Sequence, residues 1–257
     1  MELVVICIAS LAASALTVFS GFGLGTLLLP VFAIFFPTPI AVAITAIVHF
    51  GNNLVKLALF GRLADRTVVR RFGLPALLAS FLGARLLMTL AGDDPLARYS
   101  LFGTTYEVTP IGLVIGLLIA TFAAWEAVPR LARVGFDPKY LAVGGALSGF
   151  FGGLSGHQGA LRSAFLVRSG LSKEAFIGTG VVIACLVDAA RLLLYGREMD
   201  LATVRDRWRL IAAAIAFAAA GAVLAARVLP RVSMRAIRRL VTVMLFAIAA
   251  ALAAGIV

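Results

Sequence analysis

Two short glycine-rich stretches carry the residues best placed to bind something. They are Ser20-Gly-Phe-Gly-Leu-Gly-Thr-Leu-Leu-Leu-Pro30 and Ser155-Gly-His-Gln-Gly-Ala-Leu-Arg-Ser-Ala-Phe165, about 135 residues apart. Both sit inside strongly apolar sequence. Gly21, Gly23 and Gly25 in the first copy, and Gly156 and Gly159 in the second, interrupt what would otherwise be helix. A chain that leaves the helix within hydrocarbon frees N–H and C=O groups, which is tolerated only against protein or a wet cavity. Glycine lets a ligand approach the main chain. The helix that resumes after each break presents free N–H groups and its positive dipole end, which suits an anion. The bland alternative is close helix packing through small residues.

The second copy adds His157, Gln158 and Arg162. An ionisable group within a membrane segment is costly and normally turns toward a cavity. A guanidinium one helical turn beyond the break can grip a sulfonate or carboxylate in bidentate fashion. His157 and Gln158 could donate to the same oxygens.

Upstream, His49, Asn52, Asn53 and Lys56 follow the spacing i, i+3, i+4, i+7 and share one helix face. Polar groups on one face of an apolar span suggest a cavity wall, although Lys56 is also placed to snorkel to the interface. Asp188 and Arg191 stand at i, i+3 and can pair locally. The sharper reading of Asp188 is a proton- or ion-coupling group.

These residues need elements to hold them, and composition decides which. Apolar residues make up 62% of the 257, against about half in a soluble domain. Charges cluster in short stretches separated by apolar runs, and roughly 20 such residues cross a bilayer. The chain reads as an all-α polytopic membrane protein. The net charge of +11 comes from Arg and Lys at the ends of apolar runs, so it marks cytoplasmic loops rather than nucleic-acid binding. Cys7 and Cys185 lie in apolar runs without a CxxC, and no ligand spacing for a metal or fingerprint for a cofactor occurs. The first apolar run has no basic stretch before it, which argues against a cleaved signal peptide.

Basic stretches at 61–71, 129–139 and 227–239 belong inside, while 92–108, acidic on balance, and the mixed loop 196–209 belong outside. Residues 140–168 then begin and end inside, and 1–36 begin and end outside. Each is expected to be a re-entrant hairpin of two half-helices. The predicted spans are 39–60, 72–91 and 109–128, then 171–195, 208–228 and 237–257. The expected plan is two inverted repeats, 1–128 and 140–257, joined by a cytoplasmic linker at 129–139. Matches outside the glycines agree with duplication: Asn53 with Asp188, Lys56 with Arg191, and Phe60-Gly61 with Tyr195-Gly196.

With Gly21-Phe-Gly-Leu-Gly-Thr-Leu-Leu-Leu-Pro30, Gly156-His-Gln-Gly-Ala and the two aromatic-glycine span ends, the chain resembles the TauE/SafE, or sulfite exporter, family over nearly its whole length. The resemblance implies a multi-pass protein of a bacterial inner membrane that moves sulfite, sulfoacetate or other small sulfonates. The family's glycine triplet is interrupted by Leu24 in the first copy and reads Gln158-Gly159-Ala160 in the second, with no counterpart to Pro30. The extra side chains narrow the pocket and add donors.

The expected function is therefore a secondary transporter working by alternating access around a midplane site. Gly21, Gly23, Gly25, Gly156, His157, Gln158, Gly159 and Arg162 would hold the anion, and Asn52, Asn53 and Lys56 would line its approach. No GxxxxGK[ST] loop occurs, so coupling would come from an ion, a proton or the substrate gradient. A passive anion channel is the nearer alternative. An intramembrane enzyme would need a nucleophile–base pair or a metal cluster, whereas the chain offers only two histidines, His49 and His157, no HExxH, and a Ser155–His157 pairing too weak to support hydrolysis. Lipid and a small anion are the expected partners, and a homodimer is plausible for a transporter of this size.

Overall fold

A computed structural model describes residues 2–20, 24–92, 94–132, 134–198, 202–228 and 234–256. Gly21, Gly23 and the loop residues within 227–239 fall outside this set, so the expectations placed on them are not described.

The molecule is a bundle of helices. The first broken region forms α1 (Glu2–Ser20) and α2 (Leu24–Ala33). Then come α3 (Thr38–Phe60), α4 (Arg66–Ala91) and α5 (Pro110–Ala127). The second broken region forms α6 (Leu141–Ser155) and α7 (Gly159–Leu166), followed by α8 (Lys173–Glu198), α9 (Trp208–Val228) and α10 (Met234–Ala253). By length and composition, three segments among the described residues can each cross a membrane: Thr38–Leu63, Arg66–Ala91 and Lys173–Arg197. Five shorter apolar helices accompany them. This is a helical membrane protein.

The arms of each broken region are unequal rather than two matched halves. The first pair has 19 and 10 residues and the second 15 and 8. At about 1.5 Å per residue, the longer arms reach roughly 28 and 22 Å and the shorter ones roughly 15 and 12 Å. The breaks therefore follow long helices instead of bisecting short ones.

Local sequence sets the boundaries. Asp65 accepts the Val68 N–H at 2.8 Å and starts α4 at Arg66, six residues ahead of the expected span. One π-helical segment, Val69–Gly73, lies in its first turns. Thr109 caps α5 by accepting the Gly112 N–H at 3.1 Å, with Pro110 at the first helical position. The expected outer loop 92–108 contains a β-hairpin, Ala97–Leu101 (β1) with Thr104–Val108 (β2). Tyr99 stacks on Tyr106, Arg98 pairs with Glu107 at 2.8 Å, and Phe102-Gly103 make the turn at positive φ.

Packing pairs recur in related positions. Helix α4 lies on α6 and α9 on α1, while α3 contacts α8 and α5 contacts α10. Small residues make the seams. Gly145, Gly149 and Gly153 put one face of α6 against the main chain of Phe72, Ala76 and Ser80 in α4 so closely that a Cβ at any of them would collide with a carbonyl oxygen. Gly221 of α9 meets the carbonyl of Leu11 in α1 in the same way. The main apolar core joins α2, α3, α5, α9 and α10 through Leu28, Phe32, Ile44, Ile115, Ala214 and Leu245.

Candidate functional site

Helix α6 ends where Gly156 takes a left-handed conformation, φ 83°, and returns its N–H to Gly152 O at 2.9 Å. Gln158 and Gly159 then open α7. The break falls deep in the protein: His157 and Gln158 are 3% and 1% exposed. Gly25, in the first turn of α2, faces it. A Cβ at Gly25 would lie 3.7 Å from Gly156 O and 3.8 Å from Thr45 Cγ2. The structure thus brings the two glycine stretches together.

Beside this meeting point α3, α7, α8 and α9 enclose a cavity of about 540 Å³. Lys56, Asn52 and Arg162 supply its polar lining together with Ser163, and Val55, Leu59, Phe60, Phe176 and Val223 supply apolar walls. Among the described residues no acidic side chain lines it. Arg162 Nη1 donates to Gln158 Oε1 at 3.1 Å, which ties the cavity cation to the break. Gly180 of α8 makes room for the guanidinium, since a Cβ there would lie 3.4 Å from Arg162 Nε. Asn52 is 1% exposed and both of its amide atoms lack a partner among the described residues.

Asn53 is drawn elsewhere. Its Nδ2 donates to Asp188 Oδ2 at 3.0 Å, and His49 Nδ1 lies 2.7 Å from the same oxygen. Because both groups donate to one carboxylate, the 3.2 Å approach of Asn53 Nδ2 to His49 Nδ1 is a contact rather than a bond. Arg191 donates to the other oxygen through Nε at 3.1 Å and Nη2 at 2.7 Å. Asp188 and Arg191 are fully buried. The local pair expected from i, i+3 spacing is present, but it belongs to a larger network that joins α3 to α8. A carboxylate that accepts from three side chains is fixed in place.

His157 Nδ1 lies 2.8 Å from Ser155 Oγ, and its ring stacks on Phe122 at 5.4 Å. The Ser155 hydroxyl donates to Phe151 O at 3.1 Å, so it cannot also give its proton to the imidazole. That geometry does not activate a serine nucleophile. Among the described residues no cluster of three or more His, Cys, Asp or Glu could hold a metal ion.

Of the residues singled out in the sequence, the structure groups Asn52, Lys56 and Arg162 around the cavity, with Gln158 bonded to Arg162 behind it. It places Gly25, Gly156, His157 and Gly159 at or beside the break. Asn53 and Asp188 form the buried network. Sequence reasoning gave no site role to Thr45 or Arg191; Arg191 pairs with its neighbour Asp188, and Thr45 lies one turn before His49, so it extends the polar face of α3 and that periodicity could have found it.

A comparison with curated proteins gives no match. The family model described as Sulfite exporter TauE/SafE matches residues 6–252, nearly all of this glycine-broken bundle with its cationic cavity, and the chain belongs to that family of membrane transporters.

Proposed function

We propose that the protein is a secondary transporter that exports small sulfur-containing anions, such as sulfite, sulfoacetate or another organosulfonate, across a bacterial inner membrane. One observation carries the reading: Lys56 and Arg162 face a largely apolar cavity of about 540 Å³ that, among the described residues, no acidic side chain lines. Two cations in a poorly hydrated space favour an anion strongly. The volume is typical of sites for small organic molecules, and the apolar walls suit the carbon part of a sulfonate better than bare sulfite.

The recurring packing pairs, α1 on α9 with α4 on α6, support two inverted repeats, residues 1–128 and 140–257 about the linker 129–139. Rocking of such halves around the meeting of Gly25 and Gly156 is the proposed alternating access. The closed network at Asp188 favours a gated carrier over an open anion channel. The test is counterflow of radiolabelled sulfite and sulfoacetate in proteoliposomes. Saturable exchange that drops at least tenfold in Arg162→Ala supports the reading. Unchanged exchange in Arg162→Ala and Lys56→Ala, or conductance without saturation, sinks it.

A further inference from the structure

Beyond the cavity, where α3 and α8 carry on into the protein, several donors stand without partners. Arg191 is fully buried and spends Nε and Nη2 on Asp188, and although the Tyr195 hydroxyl also interacts with this guanidinium, its Nη1 has no hydrogen-bond partner among the described residues. Thr45, 2% exposed, has an unpartnered hydroxyl, and Gln158, 1% exposed, an unpartnered Nε2. A buried polar group left unsatisfied is costly, so three in one region call for an explanation.

They converge on the break in the helix. A Cβ at Gly156 would lie 2.9 Å from Arg191 Nη1, and a Cβ at Gly25 would lie 3.7 Å from Gly156 O and 3.8 Å from Thr45 Cγ2, so Gly25 has both within reach. Gln158 connects this point to the cavity, because its Oε1 holds Arg162 while its Nε2 remains free. Helix α8 passes both places: Gly180 accommodates Arg162 and Arg191 reaches Gly156. Eleven residues of helix separate them, or about 16 Å of rise.

We propose that Arg191 Nη1, the Thr45 hydroxyl and the Gln158 amide form a second, deeper oxyanion station beside Gly156, reached from the Lys56–Arg162 cavity. The anion class is that of the transport reading, on which this inference rests. Asp188 does not bar it. His49 and Asn53 retain the carboxylate through Oδ2, so the guanidinium can turn its remaining donors to an oxyanion without leaving a bare acid behind. In the sequence match between halves Arg191 answers Lys56, so the same role falls to a cation in each half. Here one of the two lines an open cavity while the other is sealed.

The experiment is equilibrium binding of radiolabelled sulfite to the purified full chain in detergent, with thermal unfolding as the control for folding. Thr45→Val keeps the shape and removes the hydroxyl. Arg191→Lys keeps the charge beside Asp188 but loses the second arm. Each is expected to weaken binding on the order of tenfold, as loss of one hydrogen bond to a charged group does. Wild-type affinity in a folded Arg191→Lys and in Thr45→Val overturns the station. Should Arg191→Lys fail to fold, Thr45→Val decides alone. If Arg162→Ala loses binding while both other variants keep it, the station falls and the transport reading stands. If the wild type binds neither sulfite nor sulfoacetate, both fall.

Discussion

Asn53 Nδ2 donates to Asp188 Oδ2 at 3.0 Å, although 135 residues of chain lie between them. That interval is also the spacing of the two glycine stretches, so the two residues matched in the comparison of halves touch each other. Residues related by a two-fold axis meet only where they lie on it. On the proposed plan of two inverted repeats, the axis would pass between α3 and α8 at this level, with an amide on one side and a carboxylate on the other.

The Asp188 network sets a clear expectation for stability. Asp188→Asn leaves the Arg191 charge buried without its counter-ion, and breaking a buried pair this way typically costs about 3–5 kcal/mol. The double variant Asp188→Leu with Arg191→Met removes both charges and should recover most of that loss. Chemical or thermal unfolding in detergent measures both. A double variant less stable than Asp188→Asn would show that the network holds the fold by more than charge balance.

Asn52 should show the opposite trade. Both of its amide atoms are buried without partners, which is a penalty the folded state carries. Asn52→Leu is expected to raise the unfolding temperature by a few degrees, about 1 kcal/mol, and to lower anion exchange at least several-fold. Exchange at the wild-type rate in a folded Asn52→Leu would remove this residue from the path.

Two glycine substitutions should separate packing from propensity. Gly149→Leu drives a side chain into the main chain of Ala76, so α4 and α6 must part. A loss above 2 kcal/mol, or no folded protein at all, is expected. Gly196→Ala has nothing within 4 Å and sits in the helical end of α8, where alanine should be neutral or stabilise by up to about 1 kcal/mol. Equal unfolding temperatures for the two variants would refute the seam.

Gly156→Ala combines two penalties. Its φ of 83° disfavours any residue with a Cβ by about 1–2 kcal/mol. The added methyl would also lie 2.9 Å from Arg191 Nη1. The variant should therefore lose more stability than strain alone predicts. Most of the excess should vanish in the background of Arg191→Lys, a coupling that a double-mutant cycle reads directly.

Legibility varied with the range of the interaction. Helical periodicity put His49, Asn52, Asn53 and Lys56 on one face, and glycine content located both breaks, because each signal is local. The same face is nonetheless split, with Asn52 and Lys56 at the cavity and His49 and Asn53 on Asp188. What divides them is α8, 135 residues away, which no local pattern can place. Arg191 illustrates the same limit: i, i+3 spacing revealed its partner but not the second face it turns to Gly156. At the hairpin the cue was present. Tyr99 and Tyr106 flank Phe102-Gly103 in an alternating run, but the charge balance of 92–108 speaks only to its side of the membrane. The early start of α4 was similarly signalled by Asp65, a good capping residue within a stretch read only for its arginines.

The β-hairpin has a mechanical consequence. Tyr99 donates its hydroxyl to Ala254 O at 2.8 Å, just past the end of α10, and Gly255 seats the chain against the carbonyl of Glu107. Below it, Gly112 and Gly116 keep α5 within touching distance of the Leu252 and Ala249 carbonyls. Helices α5 and α10 are thus buttoned to each other at one end. In the proposed rocking of two halves, the swing would pivot on that fastening and leave the far ends of the same bundle with the widest arc.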